Sequence, residues 1–253
     1  MYLLGVADDV PADARAAVRD VLAAADTTAV VTRHGERLTA ELVGSDWSWT
    51  VPQSASDELL SMLAPRCRYC SLPALEAWSV PVLEGADEGL GGELLPEPTP
   101  VADLDGAELL AALEETEPYE TLESLVARIK RSDRAPYAGA IATFTGRVRE
   151  LEDEDDVPTD HLTFERYDPV AAERLATIRE ELMDRDGVED VLLHHRTGRV
   201  DAGEDIVFVV VLAGHREEAF AAVEDGIDRL KADVPIFKKE VTVDNEYWVH
   251  NRP

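Results

Sequence analysis

Residues 84–106, EGADEGLGGELLPEPTPVADLDG, crowd glycine, proline and acidic side chains together without a sustained hydrophobic period. Proline has no backbone N–H to donate and glycine loses the most freedom on ordering, so such a stretch resists both helix and sheet. It reads as a linker, and the apolar residues must pack on one side of it or the other. A chain of 253 residues with 45% hydrophobic side chains has enough apolar surface for two cores. The expected units are residues 1–83 and 107–253.

Before the linker, YLLGVAD reads as a short apolar strand. PADARAAVRDVLAAAD reads as a helix opened by Pro11, with Ala17, Val21 and Leu22 on one stripe. A hairpin is expected around His34 and Gly35, then a helix over ASDELLSMLAP, which together make a small α/β unit. After the linker come two helices, GAELLAALEET and TLESLVARIKR, a strand in YAGAIATFTGRVRE and the acidic loop LEDEDDVPTD. A strand in HLTFERY, a helix from Pro169 to about Asp184 and the strand pair VEDVLLHHRTGRV and DIVFVVVLAG follow. A helix from about Arg216 to Ala232 and two closing strands, FKKEVTV and EYWVH, end the chain. This interleaving of helices with adjacent strands predicts an α+β domain.

Asp and Glu number 53 against 24 Lys and Arg, a formal net charge of -29 spread over nearly every expected helix. A skin of that sign repels nucleic acid and anionic lipid, and repels itself at low salt. Its simplest home is a salty cytoplasm, where the Debye length shrinks to a few ångströms. No apolar run reaches the roughly 20 residues of a membrane span, and MYLLGVADDV lacks the form of a signal peptide. The two cysteines, Cys67 and Cys70, form a lone C-x-x-C without the second pair a zinc site needs. They are read as small buried side chains, with a redox dithiol as the rarer alternative.

Cations are scarce, so their placement is informative. Of only four lysines, Lys231, Lys238 and Lys239 fall within ten residues, while Lys130 stands far off. An amine is compact and can give up its proton where a guanidinium cannot, and neighbouring cations favour that loss. Along the helix before it, Phe220, Val223, Ile227 and Leu230 read as the buried stripe with Lys231 at its margin. Beyond Pro235, strand alternation puts Ile236, Lys238 and Glu240 on one face and Phe237, Lys239 and Val241 on the other. Two further cationic places are expected: Arg147 with Arg149 as a fork on one strand face, and His215 with Arg216 at a helix N-terminus suited to an anion. Each also has a plain reading, as solvated strand-end arginines and as a polar helix start.

The segments ATFTGRVR, LTFERY, HRTGRV with GEDIVFV, GHREEAF and LKADVPIFKKE before YWV occur in an order and spacing that resemble the large, catalytic subunit of molybdopterin synthase, over roughly residues 117–250. The resemblance implies an α/β-hammerhead-like domain that transfers sulfur. Its donor would be a ubiquitin-like β-grasp small subunit bearing a thiocarboxylate on a C-terminal Gly-Gly tail. Its acceptor would be cyclic pyranopterin monophosphate, which becomes the dithiolene of molybdopterin. It further implies a homodimer of large subunits within a heterotetramer, and neither cofactor nor metal.

By motif, Lys231 and Lys238 match the family's catalytic lysines, and Arg149, His215 and Arg216 match its substrate-binding positions, contributed by both protomers. Phe144 and Phe237 are placed to wall the pocket or to serve as core. Where relatives carry a polar or basic loop after the arginine, this chain has ELEDEDD, so no substrate contact is expected from it. Residues 1–83 resemble, faintly, the GTP-binding domain of the molybdopterin-guanine dinucleotide pathway, as a degenerate P-loop-like unit. GVADDVPADAR replaces the lysine-bearing phosphate loop, so no nucleotide is expected there. A non-catalytic module that captures ubiquitin-like tails, with its lysines as conjugation acceptors, is the second reading. A Schiff-base lyase built on Lys231 is the third.

Overall fold

The computed structural model describes residues 1–75, 78, 80–86, 89–153, 157–242 and 245–249. It divides into two compact units, Met1–Ser124 and Leu125–Pro253.

In the first unit the elements run β1 (Tyr2–Val6), α1 (Ala12–Ala25), β2 (Thr28–His34), β3 (Arg37–Leu42), β4 (Ser48–Pro52), α2 (Ser56–Leu63), β5 (Tyr69–Pro73), β6 (Val82–Ala86), β7 (Gly89–Gly92) and α3 (Gly106–Glu114). They build one seven-stranded sheet in the order β4-β3-β2-β5-β1-β6-β7. β1 runs parallel to β5 and β6, and β2 parallel to β5. Alternation along β1 sends Leu3 and Leu4 to opposite faces. Leu3 packs with Ala29, Val31, Leu59 and Leu63 under α2, and Leu4 with Val18, Leu22, Leu109 and Leu113 under α1 and α3. On α1 the buried side chains are Ala14, Val18 and Leu22, with Ala17 and Val21 only half-buried, one step off the expected stripe. The hairpin turns at Gly35, whose φ of 61° suits glycine.

The expected linker at 84–106 is corrected. Its start lies in β6, its middle forms β7, and its end opens α3, with Leu90 and Leu95 buried. β1 offers an open edge to β6, and the glycines permit close backbone approach. A Cβ on Gly92 would fall 2.2 Å from Val82 O, and one on Gly89 2.0 Å from Thr99 O. The glycines here are a packing requirement. The unit boundary falls inside α4 (Leu122–Ile129) instead.

Between β1 and α1, where a phosphate loop would lie, Arg15 donates to Ala7 O at 2.6 Å and Val10 O at 2.9 Å. Asp9 Oδ1 accepts from Gly85 N at 3.0 Å. Cys67 and Cys70 are buried, free thiols, and burial pushes the Cys67 pKa up to about 12 and Cys70 well above its ordinary value. The structure favours the buried reading over the redox dithiol.

In the second unit the order is β8 (Ala140–Arg147), β9 (Thr159–Arg166), α5 (Asp168–Met183), β10 (Val188–His195), β11 (Gly198–Asp201), β12 (Asp205–Ala213), α6 (Arg216–Asp233), β13 (Ile236–Thr242) and β14 (Glu246–Val249). Two antiparallel sheets result, β10-β12-β8 and β11-β9-β13-β14, so an α+β domain stands. The stretch VEDVLLHHRTGRV is two strands in different sheets, broken before Gly198 at φ 72°. α5 and α6 cover one face of the three-stranded sheet, burying Val191, Val209, Val211 and Ala213 against Leu182, Ala222, Ile227 and Leu230. α6 comes close because its sheet-facing residues are small: a Cβ on Gly226 would sit 3.1 Å from Val209 Cγ1. A second cluster, Val148, Leu162, Phe164 and Val200, joins the first through Ile206 and Ile236.

Candidate functional site

The antiparallel registers define rows of side chains on the helix-facing side of the three-stranded sheet. One row reads Leu193, Val209, Phe144 and the next His195, Val207, Gly146. Directly opposed residues share a face, so these rows are contiguous surface. Val207 Cγ1 lies 2.6 Å from where a Gly146 Cβ would be and Phe144 Cε1 3.4 Å away, so glycine leaves room for the aromatic ring to lie along the strand.

Lys231, in the last turn of α6, brings its Nζ to 5.9 Å from the Phe144 ring centroid. A cation over an aromatic face is attracted by the ring quadrupole, and this fixes where the amine points. On the neighbouring sheet, Lys238 stands opposite Phe164, on the face that also carries Ile236 and Leu162. Lys238 is half-buried there. The carboxylate two residues on, Glu240, accepts from Thr159 Oγ1 at 2.5 Å. Lys239 faces the other way and pairs with Glu246 at 2.8 Å. The three lysines thus separate into the exposed Lys231 above Phe144, the half-buried Lys238 opposite Phe164, and Lys239 tied to the edge strand β14.

Next to Phe164 lies a side chain to which the residue order assigned no role. His195 is 8% exposed, and its ring meets Phe164 edge-on, with centroids 4.9 Å apart and planes at 74°. Nδ1 is 2.7 Å from Arg196 O. A carbonyl can only accept, so Nδ1 carries the proton and Nε2 the lone pair. Burial, and then the Arg166 charge, lower its pKa to about 4 against the opposing pull of the Arg196 carbonyl bond, so the ring is neutral at ordinary pH. His194, on the opposite face and stacked on Phe208 at 6.2 Å, is lowered to about 3, chiefly by burial. The available clue was that HLTFERY and HRTGRV place the rings of Phe164 and His195 on strands.

Other expected site residues lie elsewhere. The strand ends at Arg147, whose guanidinium pairs with Asp205 at 3.2 Å and donates to Gly203 O, so Arg147 and Arg149 form no fork. Arg149 follows the buried Val148 and is exposed. His215 is the extended residue before α6, at φ −136° and ψ 166°, and Arg216 begins the helix. Both are exposed, Arg216 lies 3.8 Å from Glu217, and the first turn also carries Glu218, which offsets the helix's positive end. Fifteen residues at 1.5 Å each separate Arg216 from Lys231, about 22 Å along one rigid rod. One protomer therefore does not bring His215 and Arg216 to its own lysines.

Phe220 is corrected: it is 64% exposed, because the buried stripe runs through Ala219, Ala222, Val223, Gly226, Ile227 and Leu230. Phe237 is also exposed, at 57%, on the outer face with Lys239, and so does not wall the amine-bearing surface within the chain. Phe144 does. The acidic loop falls partly on residues 154–156, outside the described residues. A cavity of about 470 Å³ at the start of β8, lined by Lys130, Gly139, Ile141 and Leu212 among others, contains none of the expected site residues.

A family model described as MoaE protein matches residues 115–233. The probable molybdopterin synthase of Haloferax volcanii is 53% identical over 198 residues, covering 78% of this chain and 75% of that protein. That match is longer than the second unit, so it reaches into the first. The molybdopterin synthase catalytic subunit of Pyrococcus abyssi is 36% identical over 128 residues, 51% of this chain and 82% of its own. The crystal structure of molybdopterin synthase from Staphylococcus aureus superposes with a TM-score of 0.47 at 33% identity, covering 53% of this chain and 93% of that one.

Proposed function

The chain belongs to the molybdopterin synthase catalytic-subunit (MoaE) family, and on that premise we propose that it moves sulfur from the C-terminal thiocarboxylate of a ubiquitin-like β-grasp small subunit onto cyclic pyranopterin monophosphate. It is an enzyme of molybdenum cofactor biosynthesis. What supports the residue-level reading is the placement of the two amines, Lys231 over the Phe144 ring and Lys238 half-buried opposite Phe164.

Each delivery moves one sulfur. The tail arrives as a thiocarboxylate and its sulfur bonds to a pterin carbon as a carbon–oxygen bond there breaks, the oxygen leaving on the opened phosphate in one delivery and as water in the other; water then hydrolyses the thioester and releases the tail as a carboxylate. Two deliveries open the cyclic phosphate and leave the dithiolene. Lys231 orients the thiocarboxylate beside the terminal glycine and assists proton transfer, while Lys238 stabilises charge on the opening phosphate or enol. Arg149, His215 and Arg216 hold phosphate and pterin, and Phe237 lines the outer approach. Because α6 keeps Arg216 about 22 Å from Lys231, the N-terminal end of α6 in one protomer serves the lysines of its partner. The assembly is a homodimer of large subunits with a small subunit at each end.

The test combines purified protein, thiocarboxylated small subunit and cyclic pyranopterin monophosphate. Dithiolene product is expected, and tail binding without product would favour the non-catalytic module. If Lys231→Arg and Lys238→Arg both keep full turnover, charge alone suffices and the proton-active role is lost.

The first unit serves as scaffold or partner surface without nucleotide, a reading supported by Arg15 and Asp9 occupying the β1–α1 loop. A micromolar affinity for GTP would overturn it. The net charge of -29 fits a salty cytoplasm. Among the described residues no helix is long and apolar enough to cross a membrane.

A further inference from the structure

We propose that His195 is a positioning residue for sulfur transfer: held by its Nδ1–H bond to Arg196 O, its ring fixes Phe164, and Phe164 fixes the stem and aim of Lys238. The inference rests on the reading of Lys238 given above. It accounts for a buried polar side chain that none of the assigned chemistry uses.

The geometry is a chain of neighbours leading from Lys231 to Lys238. Lys231 lies over Phe144, and Phe144 lies against Gly146. Gly146, Val207 and His195 form one row across the three-stranded sheet. His195 then crosses to the second sheet by its edge-on contact with Phe164, 4.9 Å between centroids, and Phe164 is the cross-strand neighbour of Lys238. Lys231 is carried on α6 over Phe144 of the three-stranded sheet and Lys238 on β13 of the four-stranded sheet, so their separation depends in part on what joins those layers. His195 is a joint of that kind with a directional tether. Val148 and Ile236 pad the junction without orienting anything.

An imidazole suits this place better than its neighbours in size. A leucine would fill the space but could not hold its orientation through a hydrogen bond to Arg196 O. A permanent cation would add like charge beside Arg166, which donates to His195 O at 3.4 Å, and on the face that carries Lys238. A neutral ring with one donor meets both conditions. Small misplacements of a reacting group are expensive in rate, on the order of 100-fold per ångström at the extreme.

The experiment measures steady-state turnover of the assembled synthase, with thiocarboxylated small subunit and cyclic pyranopterin monophosphate, for wild type, Lys238→Ala, His195→Asn, His195→Phe and Phe164→Leu. His195→Asn keeps a donor for Arg196 O but removes the ring, while His195→Phe keeps a ring and removes the donor. Expected for His195→Asn and Phe164→Leu is a kcat reduced roughly 10-fold or more, with KM for both substrates within twofold of wild type. A double variant combining His195→Asn with Phe164→Leu should lose no more than the worse single one. His195→Phe, which keeps a ring but loses the tether, should recover only part of the kcat missing in His195→Asn. Turnover of His195→Asn within twofold of wild type, a loss confined to KM, or an additive double variant would overturn the inference. If His195→Asn does not fold, Phe164→Leu decides alone by the same kcat and KM criteria. Lys238→Ala separates the two levels: if it turns over normally the site reading falls and this inference with it, whereas an inactive Lys238→Ala beside an unaffected His195→Asn removes only the inference.

Discussion

The two ends of α6 carry cations under opposite conditions. At the C-terminal end, Lys231 is held over the Phe144 ring, and the adjoining strand presents Lys238 half-buried opposite Phe164. At the N-terminal end, His215 and Arg216 are exposed, and two glutamates share the first turn with them. The first end is organised within the protomer. The second is exposed to solvent. A helix of 18 residues keeps the two apart, so a site needing both must draw them from different copies.

The largest effect is expected when each end is inactivated separately and the two proteins are mixed. Arg216→Ala and Lys231→Ala alone should each lose at least about 100-fold in turnover. Mixed in equal amounts and allowed to exchange, random pairing gives half mixed dimers with one intact site of two, hence recovery to about a quarter of the wild-type rate. No recovery, with exchange verified by mass, would mean that each protomer uses its own residues.

A second effect concerns stability. His195, packed on Phe164, and His194 have folded pKa values lowered from 6.5 to about 4 and about 3. The unfolded chain then binds more protons than the folded one below about pH 6.5, so stability is present above that pH and is lost as pH falls toward 4 and 3. Thermal melts between pH 7 and 4 should show a falling Tm for the wild type and a shallower fall for His195→Phe. Identical slopes would place the titrating groups elsewhere. The smallest effect belongs to Lys239, whose ion pair with the exposed Glu246 lies on the outer face. Lys239→Gln should change stability by less than about 1 kcal/mol and leave turnover within twofold, in contrast to its neighbour Lys238.

Much of this was legible from residue order. Alternation beyond Pro235 separates Lys238 from Lys239, and the strand registers agree. The α+β pattern of the second unit follows from its periodicities. Phe220 misled because bulk suggests burial, whereas a helix lying close on a sheet buries its alanines and glycine and turns the large ring outward. The glycines at 89 and 92 misled in the opposite sense, since the flexibility of the free chain says nothing of a neighbouring backbone 2 Å from the missing Cβ. The separation of Arg216 from Lys231 was measurable from the start, because a helix expected over those residues is its own ruler. The His195–Phe164 contact was not, since it joins strands of different sheets, and no local period reports that meeting.

Gly226 gives the long helix a consequence of its own. With no side chain between it and Val209, α6 beds directly onto the sheet and behaves as a single stiff beam. In a paired assembly such a beam would reach into two reaction chambers at once, its tail furnishing an amine to one and its head a guanidinium to the other. Any tilt would be felt in both, so the chambers would keep time with each other.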